Sequence, residues 1–410
     1  MPAPESEPES RNPFGSPPFV RWWAAGVVAG TGAGIQSVTV PLFLRDRVDE
    51  DWRALAIAGA LIAQNLPGAF LALLGGTFAD RVEPRRILSI TYSVAASVAL
   101  CYVALSLNPS LPIWIVYPLA AVVGSAAAFT NPTRQSMLPL LVSGSQLQNG
   151  VIFGTMGFMA TFQTLGPSVG GLLTDSFGLP TAFSAEVLLL ALGGLIFSRI
   201  RTGTPPPSSQ SVMSDLREGL RYARRTPAIR GLLLLSTVPG IVFIGPFNVT
   251  LPLLVPDVLH ESDKWVGLLW GCFGGGVLAG SLYLTWRPLP RRGLAICLST
   301  IAGGITMIIF GLSESLPLSA IMLVMWGLGA AIFINYAVAL LQQHADPAMM
   351  GRVMSMYTLA FFAAAPLGYA QAGLMTSQLG LQATLLSSGA CAIVIGVVTA
   401  TRLHSVRALE

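Results

Sequence analysis

Twelve long apolar stretches, separated by short polar segments, account for most of the chain. Each is close to, or longer than, the roughly 20 apolar residues that a helix needs to cross the hydrocarbon of a bilayer. Lipid offers no partner to a free backbone N–H or C=O group, so such segments cross as helices. The pattern predicts an all-α membrane protein with spans 1 to 12 at residues 19–44, 54–79, 86–107, 111–133, 146–174, 179–199, 229–256, 264–286, 292–312, 316–343, 351–376 and 381–402.

Composition and charge support this interpretation and set the orientation. Only 10% of the 410 residues are charged, against about 25% in soluble domains. With both termini on the inner side, all but four of the 23 Lys and Arg residues lie there, the exceptions being Arg45, Arg47, Arg53 and Lys264. The positive-inside rule therefore puts both termini in the cytoplasm. The same rule explains the basic loops, so we expect no nucleic-acid partner.

The remaining composition argues against cofactor and metal sites. The four cysteines lie singly inside spans, with no spacing typical of a disulfide framework or a metal site. We therefore expect no metal, no cofactor and no catalytic residues. Residues 1–18 are rich in Pro, Ser and Glu, which predicts a disordered cytoplasmic tail rather than a signal peptide.

The chain divides into two halves of similar design. Residues 200–228 are the longest polar insertion, and their SDLREGLRYARR segment predicts an amphipathic helix at the inner membrane surface. Short patterns recur in the same order on either side, such as VTVPL at 38–42 with VTLPL at 249–253, and RVEPRR at 81–86 with RPLPRR at 287–292. Such repetition predicts two pseudo-symmetric six-helix bundles at 19–199 and 229–402, followed by a cytoplasmic tail at 403–410. Parallel repeats of this kind form transporters whose substrate site lies between the halves.

The loop after span 2 carries a recognisable motif. Residues 75–86 read GGTFADRVEPRR, which resembles the G-x-x-x-D-R-x-G-R-R signature of the major facilitator superfamily, with Glu83 where Gly is commonest. The resemblance implies that Asp80 anchors the loop at the start of span 11 and closes the cytoplasmic gate. A helix N-terminus and an arginine both stabilise a carboxylate, which makes Gly351 and Arg352 the expected partners. A purely topological loop is the alternative. The residues of this gate motif are Gly76, Asp80, Arg81, Arg85, Arg86 and Arg352.

Span 5 carries a second motif. Residues 166–171 read GPSVGG and resemble the G-P-x-x-G-G antiporter motif of exporters in the same superfamily. Small residues let helices approach closely and proline kinks a span, so glycine-mediated packing alone is the alternative. The segment also contains the G-x-S-x-G pattern of hydrolases, but no strand or nearby histidine accompanies Ser168. The antiporter motif, formed by Gly166, Pro167, Gly170 and Gly171, favours export.

Four further stretches indicate which branch of the superfamily the chain resembles. NPTRQ at 131–135, LPL at 138–140, REGLRY at 217–222 and GRV at 351–353 are similar to the branch that holds macrolide exporters and the enterobactin exporter. The resemblance covers nearly all the spans. The arginine that many superfamily members carry in the middle of span 4 is absent, and Ala120 lies near its place. The proton-relay role that this arginine usually has in the superfamily is therefore not assigned to a residue in the middle of span 4 of this chain.

In the major facilitator fold, spans 1, 4, 7 and 10 line the central cavity. Polar side chains are costly in lipid, so those deep in these spans face protein or a wet cavity. A mostly neutral cavity suits a lipophilic or amphipathic cargo. Hydrogen bonding between helices is the alternative role for these side chains. The expected cargo contacts are Gln36, Asn131, Asn248, Asn335 and Tyr336.

Proton coupling needs a group that is exposed to each side of the membrane in turn. Glu186 is the only acidic residue well inside a predicted span, which makes it the coupling candidate. Span 6 is usually peripheral in this fold, so local packing is the alternative role. Asp46 and Asp175, at the outer ends of spans 1 and 5, are weaker candidates. The sequence carries no ATP-binding loop, which makes an ion gradient the expected energy source.

These features predict a multi-pass exporter of the cytoplasmic membrane that moves a drug, macrolide or siderophore-like molecule by alternating access, in exchange for protons. Its expected partners are the small-molecule substrate, protons and the lipid bilayer, and we expect it to be a monomer. A lipid or lysophospholipid flippase on the same fold is the first alternative. A membrane sensor or an intramembrane enzyme is the second, but the sequence shows neither an added soluble domain nor a catalytic constellation.

Overall fold

The computed structural model describes residues 12–79, 82–142, 144–201, 212–402 and 409, and every regular element within them is helical. The predicted all-α membrane class is thus confirmed. Among these residues, ten helical segments are long and apolar enough to cross a membrane: Pro17–Arg47, Pro84–Leu107, Ile113–Leu140, Leu179–Ser198, Pro227–Asp257, Lys264–Trp286, Arg292–Leu312, Leu316–His344, Met350–Leu379 and Leu381–Arg402. Arg53–Ala79 and the segment 144–177 supply spans 2 and 5.

The two halves turn in the same way between their last two spans. Gly178 separates spans 5 and 6 with φ of 82°, and Gly380 separates spans 11 and 12 with φ of 88°. Side chains other than glycine rarely adopt this left-handed backbone region. Because each glycine ends one span and begins the next within a single residue, spans 5 and 6 and spans 11 and 12 form matching tight hairpins.

Two spans contain a wider helical turn immediately before a Gly-Pro pair. Thr161–Leu165 in span 5 precedes Gly166-Pro167, and Pro239–Ile244 in span 7 precedes Gly245-Pro246; both segments are π-helical. Proline has no N–H to bond the preceding turn, and a π turn absorbs the extra space that its ring requires. Both spans are therefore interrupted near their middle, where a transporter places its irregular backbone.

The packing follows the division into halves. We name the face that carries the start of span 1 and the end of span 12 the terminal face, and the opposite one the distal face. Span 6 packs on spans 1 and 3, and span 2 on span 4, while span 10 packs on spans 8 and 9, and span 9 on span 12. The halves meet along two seams, span 5 against span 8 and span 2 against span 11.

Both seams bring backbones close together toward the distal face. A Cβ atom added at Gly171 would lie 2.9 Å from the Lys264 carbonyl oxygen, and one at Gly373 would lie 2.6 Å from Ala58 Cβ. Toward the terminal face, by contrast, Asn131 of span 4 and Asn335 of span 10 are exposed. The seams thus join the halves toward the distal face, and we name the region around Asn131 and Asn335, toward the terminal face, the central cleft.

A short helix, Val212–Arg225, connects the halves and lies against the start of span 11. Its Tyr222 hydroxyl accepts a hydrogen bond from the Asp346 backbone N–H at 3.0 Å. Its Glu218 carboxylate lies 3.2 Å from the Arg352 guanidinium. These polar contacts hold the connecting helix at the terminal face of the second half.

Candidate functional site

The antiporter motif of span 5 forms the seam with span 8. A Cβ atom at Gly267 of span 8 would overlap the Pro167 carbonyl oxygen, and one at Gly171 would lie 2.9 Å from the Gly267 amide nitrogen. On the other side, a Cβ atom at Gly166 would lie 2.6 Å from Gly34 Cα of span 1. The small residues therefore let three backbones touch. Of the four motif residues, Pro167 and Gly171 face span 8, and Gly166 and Gly170 face span 1.

Ser168, the serine of the G-x-S-x-G pattern, lies in the same seam between spans 5 and 8. Its hydroxyl donates to the Thr164 carbonyl at 2.8 Å and lies 3.4 Å from the Gly267 carbonyl. Within the described chain, no group of three or more His, Cys, Asp or Glu side chains is placed to hold a metal ion. Ser168 is thus a packing residue that bonds to backbone oxygens on both sides of the seam.

Gly267→Ala is expected to destabilise the protein by about 1–3 kcal/mol, because the added methyl group meets backbone that cannot rotate away. Gly275→Ala on the same span is the matched control, since a Cβ atom there meets nothing within 4 Å. Thermal unfolding followed by size-exclusion chromatography of the detergent-solubilised protein measures both. Equal melting temperatures for the two variants would contradict a tight seam.

A charged cluster joins the halves at the distal face. The Arg45 guanidinium of span 1 binds the Asp263 carboxylate of span 8 through two hydrogen bonds, of 2.6 Å and 3.1 Å, and also binds Asp46 at 2.6 Å. The Arg45 side chain is only 12% exposed. A two-pronged charge-assisted contact of this kind is among the stronger polar interactions in proteins. We name Arg45, Asp46 and Asp263 the distal gate. This pairing was not predicted, because Arg45 and Asp263 lie 218 residues apart in the chain.

Glu186 lies fully inside the first half. Its side chain is 0% exposed, and neither carboxyl oxygen has a hydrogen-bond partner among the described residues. An ionised carboxylate with no partner is very costly in such a place, so the neutral acid is favoured. Native proteins leave few buried polar groups without a partner, and each one needs an explanation.

A small, mostly apolar cavity lies among the first four spans. Its volume is about 20 Å³. One wall carries a hydrogen bond of 3.3 Å from the Gln64 amide to the Gln36 side-chain oxygen. The residues that line it are Gln36, Ser37, Val40, Pro41, Leu44, Ile57, Ala60, Leu61, Gln64, Tyr102 and Ala120. The predicted cargo contact Gln36 is therefore buried in this cavity beside span 2.

The other predicted cargo contacts do not form one cluster in the described contacts. Asn131 is exposed on span 4. Asn248 is partly buried and donates to the Ile244 carbonyl at 2.7 Å, and Asn335 is exposed and donates to Ser281 of span 8 at 3.0 Å. Asn335 thus makes a bond between helices, the alternative considered for all of these residues.

Tyr336 is directed toward a loop. Its buried hydroxyl accepts a hydrogen bond from the Leu289 backbone N–H at 2.6 Å, and its ring lies 6.0 Å from the Arg292 guanidinium. These contacts fix the connection between spans 8 and 9.

Arg134, predicted to lie in the loop after span 4, is a buried cation. Span 4 continues to Leu140, so Arg134 lies within the span and is only 6% exposed. Its guanidinium lies 4.1 Å from the centre of the Phe158 ring and 5.8 Å from that of Trp22, a cation–π arrangement. The predicted end of span 4 at residue 133 was too early. The apolar MLPLLV run that follows was the signal for a longer helix.

The gate motif at the terminal face is only partly described. Asp80 and Arg81 lie outside the described residues, and Gly76 falls in span 2. Glu83 forms ion pairs with Arg85 at 2.5 Å and with Arg86 at 3.4 Å. The acidic residue at the usual glycine position thus holds the two arginines that follow it.

An aromatic cluster occupies the middle of the second half. The Phe247 ring of span 7 lies 5.0 Å from Trp270, 5.5 Å from Phe273 and 5.1 Å from Trp326, measured between ring centres. Phe243 extends the cluster with a distance of 5.5 Å to Trp326. Trp270 and Phe273, both on span 8, remain partly exposed. The cluster offers an apolar surface with polarisable ring faces.

Comparison with known proteins supplies the family. The model of the family described as transmembrane secretion effector matches residues 9–410. Macrolide efflux protein A of Streptococcus pyogenes is 23% identical over 406 residues, covering 96% of this chain and 97% of that protein. The multidrug efflux pump Tap of Mycobacterium tuberculosis is 26% identical, covering 98% and 96%. The enterobactin exporter EntS of Escherichia coli is 25% identical, covering 93% and 90%.

Solved structures support the same fold. The nucleoside transporter NupG superposes with a TM-score of 0.74 at 13% identity, covering 93% of this chain and 98% of that one. The predicted superfamily and its fold are thus confirmed, and the chain is an efflux transporter of the membrane rather than an enzyme. The chain belongs to the transmembrane secretion effector family, in the drug and siderophore exporter branch of the major facilitator superfamily.

Proposed function

We propose that this transporter exports a lipophilic or amphipathic small molecule from the cytoplasm by alternating access, in exchange for protons. The relatives named for macrolide, multidrug and enterobactin export support the direction and the cargo class. The single observation that carries the coupling is Glu186, a fully buried carboxyl group with no described partner. We further propose that the protein is a monomer with both termini in the cytoplasm, as the distribution of basic residues favours.

Alternating access needs a seal on each side that opens while the other is closed. The distal gate, in which Arg45 binds Asp263 across the halves, is the seal that we assign to the outer side. The gate motif after span 2, with Asp80, Arg85 and Arg86, is the seal that we assign to the cytoplasmic side. Under this assignment the described conformation is inward-facing, because the Arg45–Asp263 contact of the distal gate is formed.

The cargo would bind between the aromatic cluster and the amides of the central cleft. Trp270 and Phe273 offer ring faces to an apolar or cationic molecule. Asn131, Asn248 and Asn335 supply neutral hydrogen-bonding groups, which orient a cargo without requiring a charge. We assign supporting roles to Gln36 and Tyr336, because both side chains are buried and are hydrogen-bonded to span 2 and to the Leu289 backbone, respectively.

Coupling would follow from one shared proton on Glu186. In the inward-facing state the neutral acid is favoured, and cargo binding would release the proton to the cytoplasm. In the outward-facing state the carboxylate would take a proton from outside as the cargo leaves. Each cycle would then move one proton inward for each cargo molecule that is moved outward.

Uptake by everted membrane vesicles tests this function. Lipophilic dyes, macrolides and siderophores are offered with and without an uncoupler, and we expect uncoupler-sensitive accumulation of at least one class. Accumulation that an uncoupler leaves unchanged would contradict proton antiport. A folded protein that accumulates no member of the panel would contradict the cargo class and would favour the lipid flippase.

A further inference from the structure

Arg134 is a charged side chain that the proposed transport cycle leaves unused. It lies in the half of span 4 that is nearer the terminal face, and it is only 6% exposed. Its Nε atom is buried without a hydrogen-bond partner among the described residues. Of the described titratable groups, only the phenol of Tyr92 on span 3 lies within electrostatic reach of the guanidinium. A buried cation without a counter-ion is costly, so the site indicates an anion that the described chain does not supply.

Aromatic rings hold the Arg134 guanidinium in place without using its hydrogen-bond donors. The Phe158 ring, whose centre is 4.1 Å from the guanidinium carbon, is itself stacked on Phe162 with 5.7 Å between ring centres. The Trp22 indole N–H donates to the Arg134 backbone carbonyl at 3.2 Å, which fixes span 1 against this turn of span 4. Aromatic rings attract a cation but carry no oxygen acceptor. The guanidinium fork is therefore positioned in advance, and its N–H groups still lack an acceptor.

Arg134 borders the central cleft. Asn131, one helical turn away on span 4, and Gln135, the next residue along the chain, are both exposed. Exposed amides inside a span indicate a wet surface rather than a lipid-facing one. Of the three guanidinium nitrogens, only Nε is fully shielded from solvent. The two terminal nitrogens are thus the ones that an anion entering from the cleft would reach.

We propose that Arg134 binds an oxyanion of the cargo, such as a carboxylate, and thereby selects acidic amphipathic molecules. This inference rests on the proposed export function and narrows its cargo class. A guanidinium fork binds a carboxylate through two parallel N–H···O bonds, and the attraction between the charges is stronger in a poorly solvated site than in water. Asn131 offers an amide to the same molecule, and the partly exposed Phe158 offers an apolar surface. A neutral molecule of the same shape would leave the guanidinium unpaired, so the charge of the cargo is the property that the site distinguishes.

Equilibrium binding of naphthoate and of naphthamide, its uncharged counterpart, tests this preference. The full-length protein is titrated in nanodiscs of phosphatidylcholine, and binding is followed by the fluorescence of the naphthalene ring. We expect the unaltered protein to bind naphthoate at least about tenfold more tightly than naphthamide. Arg134→Gln should bring the ratio of the two affinities close to one while leaving the affinity for naphthamide unchanged. Arg134→Met, with an apolar side chain, serves as a second variant should Arg134→Gln fail to fold.

Arg21→Gln is the matched control. Arg21 precedes Trp22 on span 1 but is exposed, so its loss removes the same charge outside the site and should leave both affinities unchanged. Equal affinities for naphthoate and naphthamide in the unaltered protein would overturn the inference, as would a preference for naphthoate that survives in Arg134→Gln and Arg134→Met.

A lipid headgroup carries the same oxyanion chemistry, and a second set of nanodiscs distinguishes it from the cargo. If phosphatidylglycerol in the nanodiscs displaced naphthoate, the site would belong to a lipid and the assignment to the cargo would be overturned. Naphthoate binding that is unchanged in phosphatidylglycerol would support the cargo. Because binding requires neither a gradient nor transport, an absence of export in vesicles would contradict the proposed function while leaving the charge preference measurable.

Discussion

Glu186→Gln is expected to abolish proton-driven accumulation in everted vesicles while leaving downhill cargo exchange intact. Glutamine has nearly the shape of a neutral glutamic acid but cannot release a proton. The variant would therefore be held permanently in the state that the buried site already favours. Accumulation should fall to the level of uncoupler-treated vesicles, and the dependence of exchange on pH should disappear. Counterflow of radiolabelled cargo measures the exchange that remains.

Asp175→Asn is the matched control for this prediction. Asp175 is an exposed acid near the distal end of span 5, and it was a weaker coupling candidate on sequence grounds. Its loss should leave accumulation and its pH dependence unchanged. If Glu186→Gln accumulated cargo with the pH profile of the unaltered protein, Glu186 would be a packing residue, and the coupling acid would have to be sought at the distal gate.

Apolar periodicity was enough to locate the spans but not their interruptions. Span 9 was predicted at 292–312, and the structure has Arg292–Leu312, because long apolar runs bounded by Pro, Gly and Arg leave little choice of helix ends. The π turn at Thr161–Leu165 was not predicted. A Gly-Pro pair indicates a kink, but whether the backbone responds with a wider turn depends on the helices packed beside it.

The residues of the candidate site could likewise be predicted from the sequence only in part. A single acid inside a span was visible from hydropathy, whereas the small cavity lined by Gln36 and Gln64 depends on four spans meeting. Arg134 was counted with the loop charges, because hydropathy reports the composition of a segment and not which side chains its neighbours bury. Its burial against Trp22 and Phe158 needed the three-dimensional arrangement of spans 1, 4 and 5.

Arg45→Ala is expected to shift the transporter toward conformations that are open at the distal face. The substitution removes both hydrogen bonds to Asp263 across the halves and leaves that carboxylate, which is 22% exposed, without its main partner. Charge-assisted contacts of this geometry contribute about 1.5–3 kcal/mol, so the open fraction should rise roughly tenfold or more. Spin labels at the exposed positions Asp49 and Ser262, in a background without accessible cysteines, report the opening as a longer label separation.

Arg47→Ala separates the loss of a gate contact from the loss of a positive charge. Arg47 lies on the same helix end, but its guanidinium donates to the Pro109 and Leu111 carbonyls of its own half, at 3.1 Å and 3.3 Å. Removing it should leave the label separation unchanged. The exchanged pair Arg45→Asp with Asp263→Arg should restore part of the closed population that either single change loses, because the attraction across the halves is rebuilt with its sign reversed. Identical separations in Arg45→Ala and Arg47→Ala would mean that the distal face is held shut by the glycine seam of spans 5 and 8, and not by the ion pair.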